Sequence, residues 1–170
     1  MQLVLPSLKY KREFLEALEE SKNETGDTRL SQAEENESFE DYVKRTNDNS
    51  KGQNLLKSHV PASTFWLIDK GELIGRTQIR HELNDFLLKA NGHIGYYIRP
   101  SKRKMGYGKE ILRLALLEAK KLGLSKVLID CDEDNTGSWK IIEANGGELE
   151  NVVEIEKNKP KKRRYWITIK

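Results

Sequence analysis

The sequence predicts an α/β (α+β) fold, a mixed sheet of about seven strands with helices on its faces. Three observations predict it. Short β-rich runs recur along the chain and alternate with segments of helical period. Two of those runs are joined by Lys70-Gly71, a two-residue hairpin turn. A strong strand, His93 to Arg99, then leads through a glycine-containing turn into a long amphipathic helix.

The elements follow in order. Gln2 to Leu5 reads as a short strand, and Leu8 to about Glu20 as a helix with Phe14, Leu15 and Leu18 at helical spacing. Asn23 to Glu37 is polar and acidic and reads as an exposed loop. Ser38 is placed to cap a second helix, with Asp41 completing a variant capping box, and Asn47 to Lys51 ends it. Ser63 to Asp69 and Glu72 to Arg80 form the hairpin. A polar stretch with Leu83, Phe86 and Leu87 separates it from the His93 strand, which Pro100 stops. The next helix runs from about Tyr107 to Lys121, with Ile111, Leu112, Leu114, Ala115, Leu116 and Ala119 as its expected buried face, and stops at Gly123. Lys126 to Cys131 is a strand, Asn135 to Asn145 a short helix, and Glu148 to Glu156 and Arg163 to Ile169 are the last strands.

With 170 residues and no interior linker, the chain is expected to be one domain, 1–170. A net charge of +3 implies no overall nucleic-acid or membrane field. Cys131 is the sole cysteine, so no intrachain disulfide forms. The brief apolar start, Met1 to Pro6, does not read as a signal peptide, and no apolar run approaches the ~20 residues of a membrane span. A cytoplasmic protein is the expectation.

The segment that carries chemistry lies between the His93 strand and the long helix. Arg103, Gly106 and Gly108 form R-x-x-G-x-G. Such a turn lets successive backbone N–H groups face one ligand, and the helix places its positive dipole end at the same point. The product is a pyrophosphate cradle, with Lys102, Arg103, Lys104 and Lys109 adding positive charge. The bland alternative is an ordinary tight connection with solvated lysines. The glycine spacing fits neither a dinucleotide fingerprint nor a P-loop.

Strand, turn and helix together resemble motif A of the GNAT superfamily of acetyl-CoA-dependent N-acetyltransferases. The order of elements is similar to that fold along nearly the whole chain. Gly92 to Tyr96 looks like the family's fourth strand, Lys126 to Cys131 like its fifth, and Asp134 to Gly147 like its second motif, with Asn135 and Ser138 matching. His81 to Leu87 followed by Gly92 to Tyr96 looks like a subgroup of bacterial acetyltransferases with unassigned substrates. The resemblance implies a mostly antiparallel central sheet and acetyl-CoA as co-substrate.

Residue by residue, the resemblance implies that the amides of Arg103, Lys104, Met105, Gly106, Tyr107 and Gly108, with Lys109 beside them, bind the CoA pyrophosphate. Tyr97, Ile98 and Arg99 would hold the pantetheine, and Asn135 and Ser138 would line the cofactor's other side. The Ile98 N–H would polarise the thioester and hold the oxyanion. An alkyl amine of pKa near 10.4 arrives protonated, so a base is needed. His93 is the preferred one and His81 the second; a structural histidine is the bland alternative. Where the family carries an acid tyrosine this chain has Ile142, and its closing aromatic falls at Gly147. No general acid is carried over, which leaves Tyr107, Tyr97 or water.

Cys131 reads as core before nucleophile, and its spacing to the histidines predicts no metal site. Asp130, Asp132, Glu133 and Asp134 are either a lure for a cationic amine or a solvated loop. The acceptor is expected to be a small-molecule or peptide amine, with a homodimer open. Two other classes stay in view: a non-catalytic CoA-binding or regulatory module, and a nucleic-acid binder using the basic segment Lys157 to Arg164.

Overall fold

A computed structural model describes residues 1–25, 30, 34 and 36–170. Its elements are β1 (Gln2–Val4), α1 (Lys11–Thr25), α2 (Phe39–Asn49), β2 (Ala62–Asp69), β3 (Glu72–Arg80), α3 (Asp85–Lys89), β4 (Ile94–Ile98), α4 (Tyr107–Lys121), β5 (Lys126–Asp132), α5 (Thr136–Glu143), β6 (Glu148–Val153) and β7 (Lys162–Thr168). Short 3-10 turns precede α1 and follow β4. The strands form two antiparallel sheets, ordered β1-β2-β3-β4 and β5-β7-β6. They meet where the His93 N–H donates to Leu128 O at 2.7 Å. Beyond that point β4 and β5 share no ladder.

Local chemistry accounts for most boundaries. Lys70 and Gly71 both have positive φ, 48° and 83°, the left-handed pair that a two-residue hairpin turn requires. Ser38 accepts the Asp41 N–H and caps α2 as its sequence predicts. Helix α4 begins and ends where its apolar stripe does. Two expectations are corrected. Helix α1 runs on to Thr25, so Asn23 to Thr25 are helical; of the expected loop, residues 26–29, 31–33 and 35 lie outside the described residues. The polar stretch after the hairpin contains α3, whose cap is Asn84 accepting the Leu87 N–H at 2.9 Å.

Helices cover both faces. On one face α4 and α5 bury Leu112, Ala115, Ala119 and Ile142 against Ile79, Ile94, Val127, Ile129 and Tyr165. On the other, α1 and α2 close over Trp66, whose ring stacks on Phe14 at 5.1 Å. Phe65 packs toward the first core and Trp66 sits in the second, as strand alternation requires.

Candidate active site

The opening between β4 and β5 is the cleft. Tyr96, Tyr97 and Ile98 of β4 form one wall, and Asn135, Gly137, Ser138 and Ile141 at the start of α5 form another. Arg103, Lys104 and Gly108 close the end toward α4. The Arg99 N–H donates to Ile74 O, and the β3–β4 register pairs Gly75 with Ile98. Antiparallel alternation then turns the Ile98 N–H away from β3, toward the gap before β5.

The turn ahead of α4 has the backbone an anion cradle needs. Lys104 and Gly106 have positive φ, 59° and 85°, and Gly106 is the helix N-cap. Among the described residues no carbonyl or side chain accepts the amides of Lys104 to Lys109. These are the orphan donors of a helix start, presented in one concave turn. A Cβ on Gly108 would lie 2.4 Å from Ile141 Cδ1, so α4 and α5 approach closely only because that residue is glycine.

Of the residues expected at the cofactor, the fold brings Tyr97, Ile98, Arg103, Lys104, Gly108, Asn135 and Ser138 to one cleft. Arg103 turns back on the end of β4, where its Nε donates to Ile98 O at 3.1 Å and its guanidinium covers the Tyr97 ring. Asn135 accepts the Ser138 N–H and caps α5. Met105, Gly106, Tyr107 and Lys109 contribute backbone to the turn, while the Met105 and Tyr107 side chains lie outside the cleft lining. Met105 is 62% exposed, and the Tyr107 hydroxyl donates to Asp69 at 3.0 Å.

Arg99 faces away from the cleft. Its Nε donates to Glu20 at 2.7 Å, and the same carboxylate takes the Ser101 N–H. Burial acts to raise Glu20, but Ser101 and Arg99 outweigh it and hold the carboxyl below its usual range. This group fastens α1 to the end of β4.

His93 is 8% exposed, lies outside the cleft lining, and accepts the Leu128 N–H on Nδ1 at 2.9 Å. Burial and the neighbouring Arg80 lower its pKa, so it is neutral at pH 7. Its position is that of a clamp joining the two sheets. His81 pairs with Ser63 at 2.9 Å.

One residue of the cleft goes unread in the sequence. Tyr96 points its hydroxyl to Ser138 Oγ, 2.9 Å away, and burial pushes its pKa far above the ordinary value, so it remains a neutral hydroxyl. Strand alternation carries the signal: Ile94, Tyr96 and Ile98 share the face under α5, where a tyrosine hydroxyl needs a polar partner. Ile142 is fully buried, and a Cβ on Gly147 would lie 2.5 Å from Ile142 Cγ2, so α5 offers the cleft neither an acid nor an aromatic there.

Tyr96, Tyr97, Asn135 and Ser138 also border a second cavity, of about 230 Å³, lined by Arg76, Gln78 and Arg80 of β3 and by Asp130, Cys131 and Asp132 of β5. Burial pushes the Cys131 thiol up to about 11, so it is not a thiolate at neutral pH. The basic segment is largely spoken for by acids: Lys159 with Glu156, Lys162 with Asp132 and Arg164 with Glu150, at 2.6 to 2.8 Å.

A family model described as an acetyltransferase (GNAT) domain matches residues 13–148, most of the chain. The chain belongs to the GNAT acetyltransferase family. As a GNAT protein it is an acyltransferase with the α/β fold just described. No curated protein matches it by sequence. Among solved structures it is similar to the microcin C7 self-immunity acetyltransferase MccE, solved in complex with acetyl-CoA and AMP, at 17% identity and a TM-score of 0.68 over 98% of this chain and 91% of that one. It is also similar to an N-acetyltransferase of Staphylococcus aureus Mu50, at 13% identity and a TM-score of 0.66 over 99% and 98%. A Salmonella typhimurium acetyltransferase that modifies the N-terminal serine of ribosomal protein L7/L12 matches at 18% identity and a TM-score of 0.63 over 99% and 94%. At these identities the likeness establishes the fold. Among the described residues no helix is long and apolar enough to cross a membrane.

Proposed function

We propose that this GNAT domain, residues 1–170 acting as one unit, transfers an acetyl group from acetyl-CoA to a primary amine by direct attack. The observation that carries the reading is the path from cradle to gap. The open amides of Lys104 to Lys109 lead along Tyr97 and Ile98 to an N–H directed between β4 and β5. Acetyl-CoA supplies the thioester.

The chain's own groups then have definite roles. The turn amides and the α4 dipole hold the pyrophosphate. Ile98 N–H donates to the carbonyl oxygen as it gains negative charge. Asn135 and Ser138 border the cofactor side, and Tyr96 holds Ser138 in place. The amine enters from the second cavity. The ammonium first gives up one proton, the freed nitrogen forms the C–N bond, the C–S bond breaks, and a second proton from nitrogen ends on sulfur. His93 has Nδ1 committed to Leu128, so proton removal falls to water on the Asp130 side. A thiol of pKa near 8.5 leaves without a strong acid, and the hydroxyls of Tyr96 and Ser138 lie at the cleft.

The test is thiol release from acetyl-CoA in the presence of primary amines, with mass spectrometry of the product. A gain of one acetyl group on the amine is expected. Binding of CoA with no turnover on any amine would support a non-catalytic module instead.

A further inference from the structure

The second cavity has two walls of opposite charge. Arg76, Gln78 and Arg80 alternate along β3, so all three side chains project to one side, and all three line the cavity. Asp130 and Asp132 stand on the β5 side. Gly95 of β4 borders the same space, and a Cβ there would meet nothing within 4 Å, so the space beside it is open.

The cationic wall is under electrostatic load. Arg76 is only 7% exposed. Arg80 donates through one nitrogen to Asn91 O at 3.1 Å and Gly92 O at 3.0 Å. Burial and then the charge of Arg76 lower the pKa of Arg80, while Asp130 acts on it at longer range. No carboxylate among the described residues lies within ion-pair distance of Arg80. A guanidinium kept from water and repelled by a second one binds an oxyanion more strongly than a solvated one does. On the far wall, Asp132 is paired with Lys162, whereas Asp130 accepts the Asn91 N–H at 2.7 Å and has no ion pair among the described residues. That leaves Asp130 to draw an ammonium.

We infer that the acceptor is an amine that also carries an oxyanion, held by Arg80 on the β3 wall with its nitrogen turned toward Asp130 and the β4–β5 opening. The inference rests on the acetyl-transfer reading above and narrows its substrate class. The cavity measures about 230 Å³, and Gln78, Arg80 and Asn91 also border a larger pocket beyond it. A carboxylate and a phosphate monoester share the required chemistry.

The test measures kcat/KM for acetyl-CoA-dependent thiol release with matched probes. These are glycine, β-alanine and 4-aminobutyrate against methylamine, ethylamine and n-propylamine, and O-phosphoethanolamine against ethanolamine. At least one acid-bearing amine is expected to exceed its matched amine by about tenfold to a hundredfold, the range of a charge-assisted hydrogen bond. Whichever pair shows the gap names the anion. Arg80→Gln is expected to abolish the preference and Arg80→Lys to keep part of it. Arg80→Lys keeps the charge that Arg80→Gln removes, and acetyl-CoA binding and circular dichroism of both variants separate the effect of charge from that of folding. Equal use of the matched amines, no use of any acid-bearing amine by protein that binds acetyl-CoA, or a preference that survives Arg80→Gln would each overturn the inference. Failure of the wild type to bind acetyl-CoA by calorimetry would instead remove the acetyl-transfer reading beneath it.

Discussion

Gly75 offers a test of how the cleft wall is built. It lies on β3 opposite Ile98, and a Cβ there would sit 2.2 Å from Tyr97 O and 2.9 Å from Ile98 Cδ1. Ordinary contact begins near 3.4 Å, so Gly75→Ala forces about 1.2 Å of overlap on a backbone carbonyl that no rotamer change can move. Overpacking of this kind costs about 1–3 kcal/mol, and the upper end is expected because backbone must shift. For a chain of this size that is a fall in Tm of about 6–12 °C. The shift also moves Tyr97 and Ile98, so acetyl-CoA affinity is expected to fall with stability. Gly95→Ala is the internal comparison. It adds the same methyl to the neighbouring strand, where the space is open, and the stiffer unfolded chain adds about 0.4–1 kcal/mol of stability. Thermal denaturation followed by circular dichroism reads both. Equal shifts for the two variants, or an unchanged Tm for Gly75→Ala, would refute the reasoning.

Other expectations follow from the same geometry. Gly108→Ala presses on the movable tip of Ile141 and displaces it into the cleft, so acetyl-CoA affinity should drop about tenfold while Tm changes little; adding Ile141→Val removes the struck methyl and should restore affinity, measured as a double-mutant cycle. His93 and His81 both have lowered pKa values through burial, so the unfolded chain binds more protons once pH falls below about 6.5. Their contribution to stability is full above that pH and is lost progressively as pH falls toward the folded values. His93→Asn retains an acceptor for Leu128 N–H and should flatten denaturant-derived stability between pH 6.5 and 5; an unchanged slope would contradict the clamp assigned to His93. Trp66→Ala opens the aromatic core beneath α1 and α2 and should cost about 3–5 kcal/mol in urea denaturation.

Where local chemistry decides, the sequence is readable. Helix α4 has an apolar stripe and a glycine on each side, and its ends fall as expected. The Lys70-Gly71 hairpin is readable for the same reason, since only a narrow set of residues adopts two consecutive positive φ values. Helix α3 is not readable by period because its five residues are too few to show one, although Asn84 three residues before Leu87 was a cap signal. The turn at Arg103 to Gly108 is visible as a motif because backbone amides, not side chains, do its work. Side-chain roles that depend on distant partners are not visible. Arg99 lies beside the motif, yet Glu20 on α1 takes it away from the cleft. Tyr96 and Arg80 acquire their meaning from α5 and from the opposite wall, which no local pattern announces.

The central claim, that the turn before α4 and the end of β4 form an acetyl-CoA site, is tested most directly by isothermal titration of acetyl-CoA into the wild type and into Gly108→Asp. Aspartate at this position places a carboxylate and a clashing Cβ where amides should meet phosphate. The account predicts one site per chain, binding in the micromolar range, and loss of that binding in a variant whose far-ultraviolet circular dichroism is unchanged. Absence of binding by the wild type, or equal binding by the variant, would contradict it.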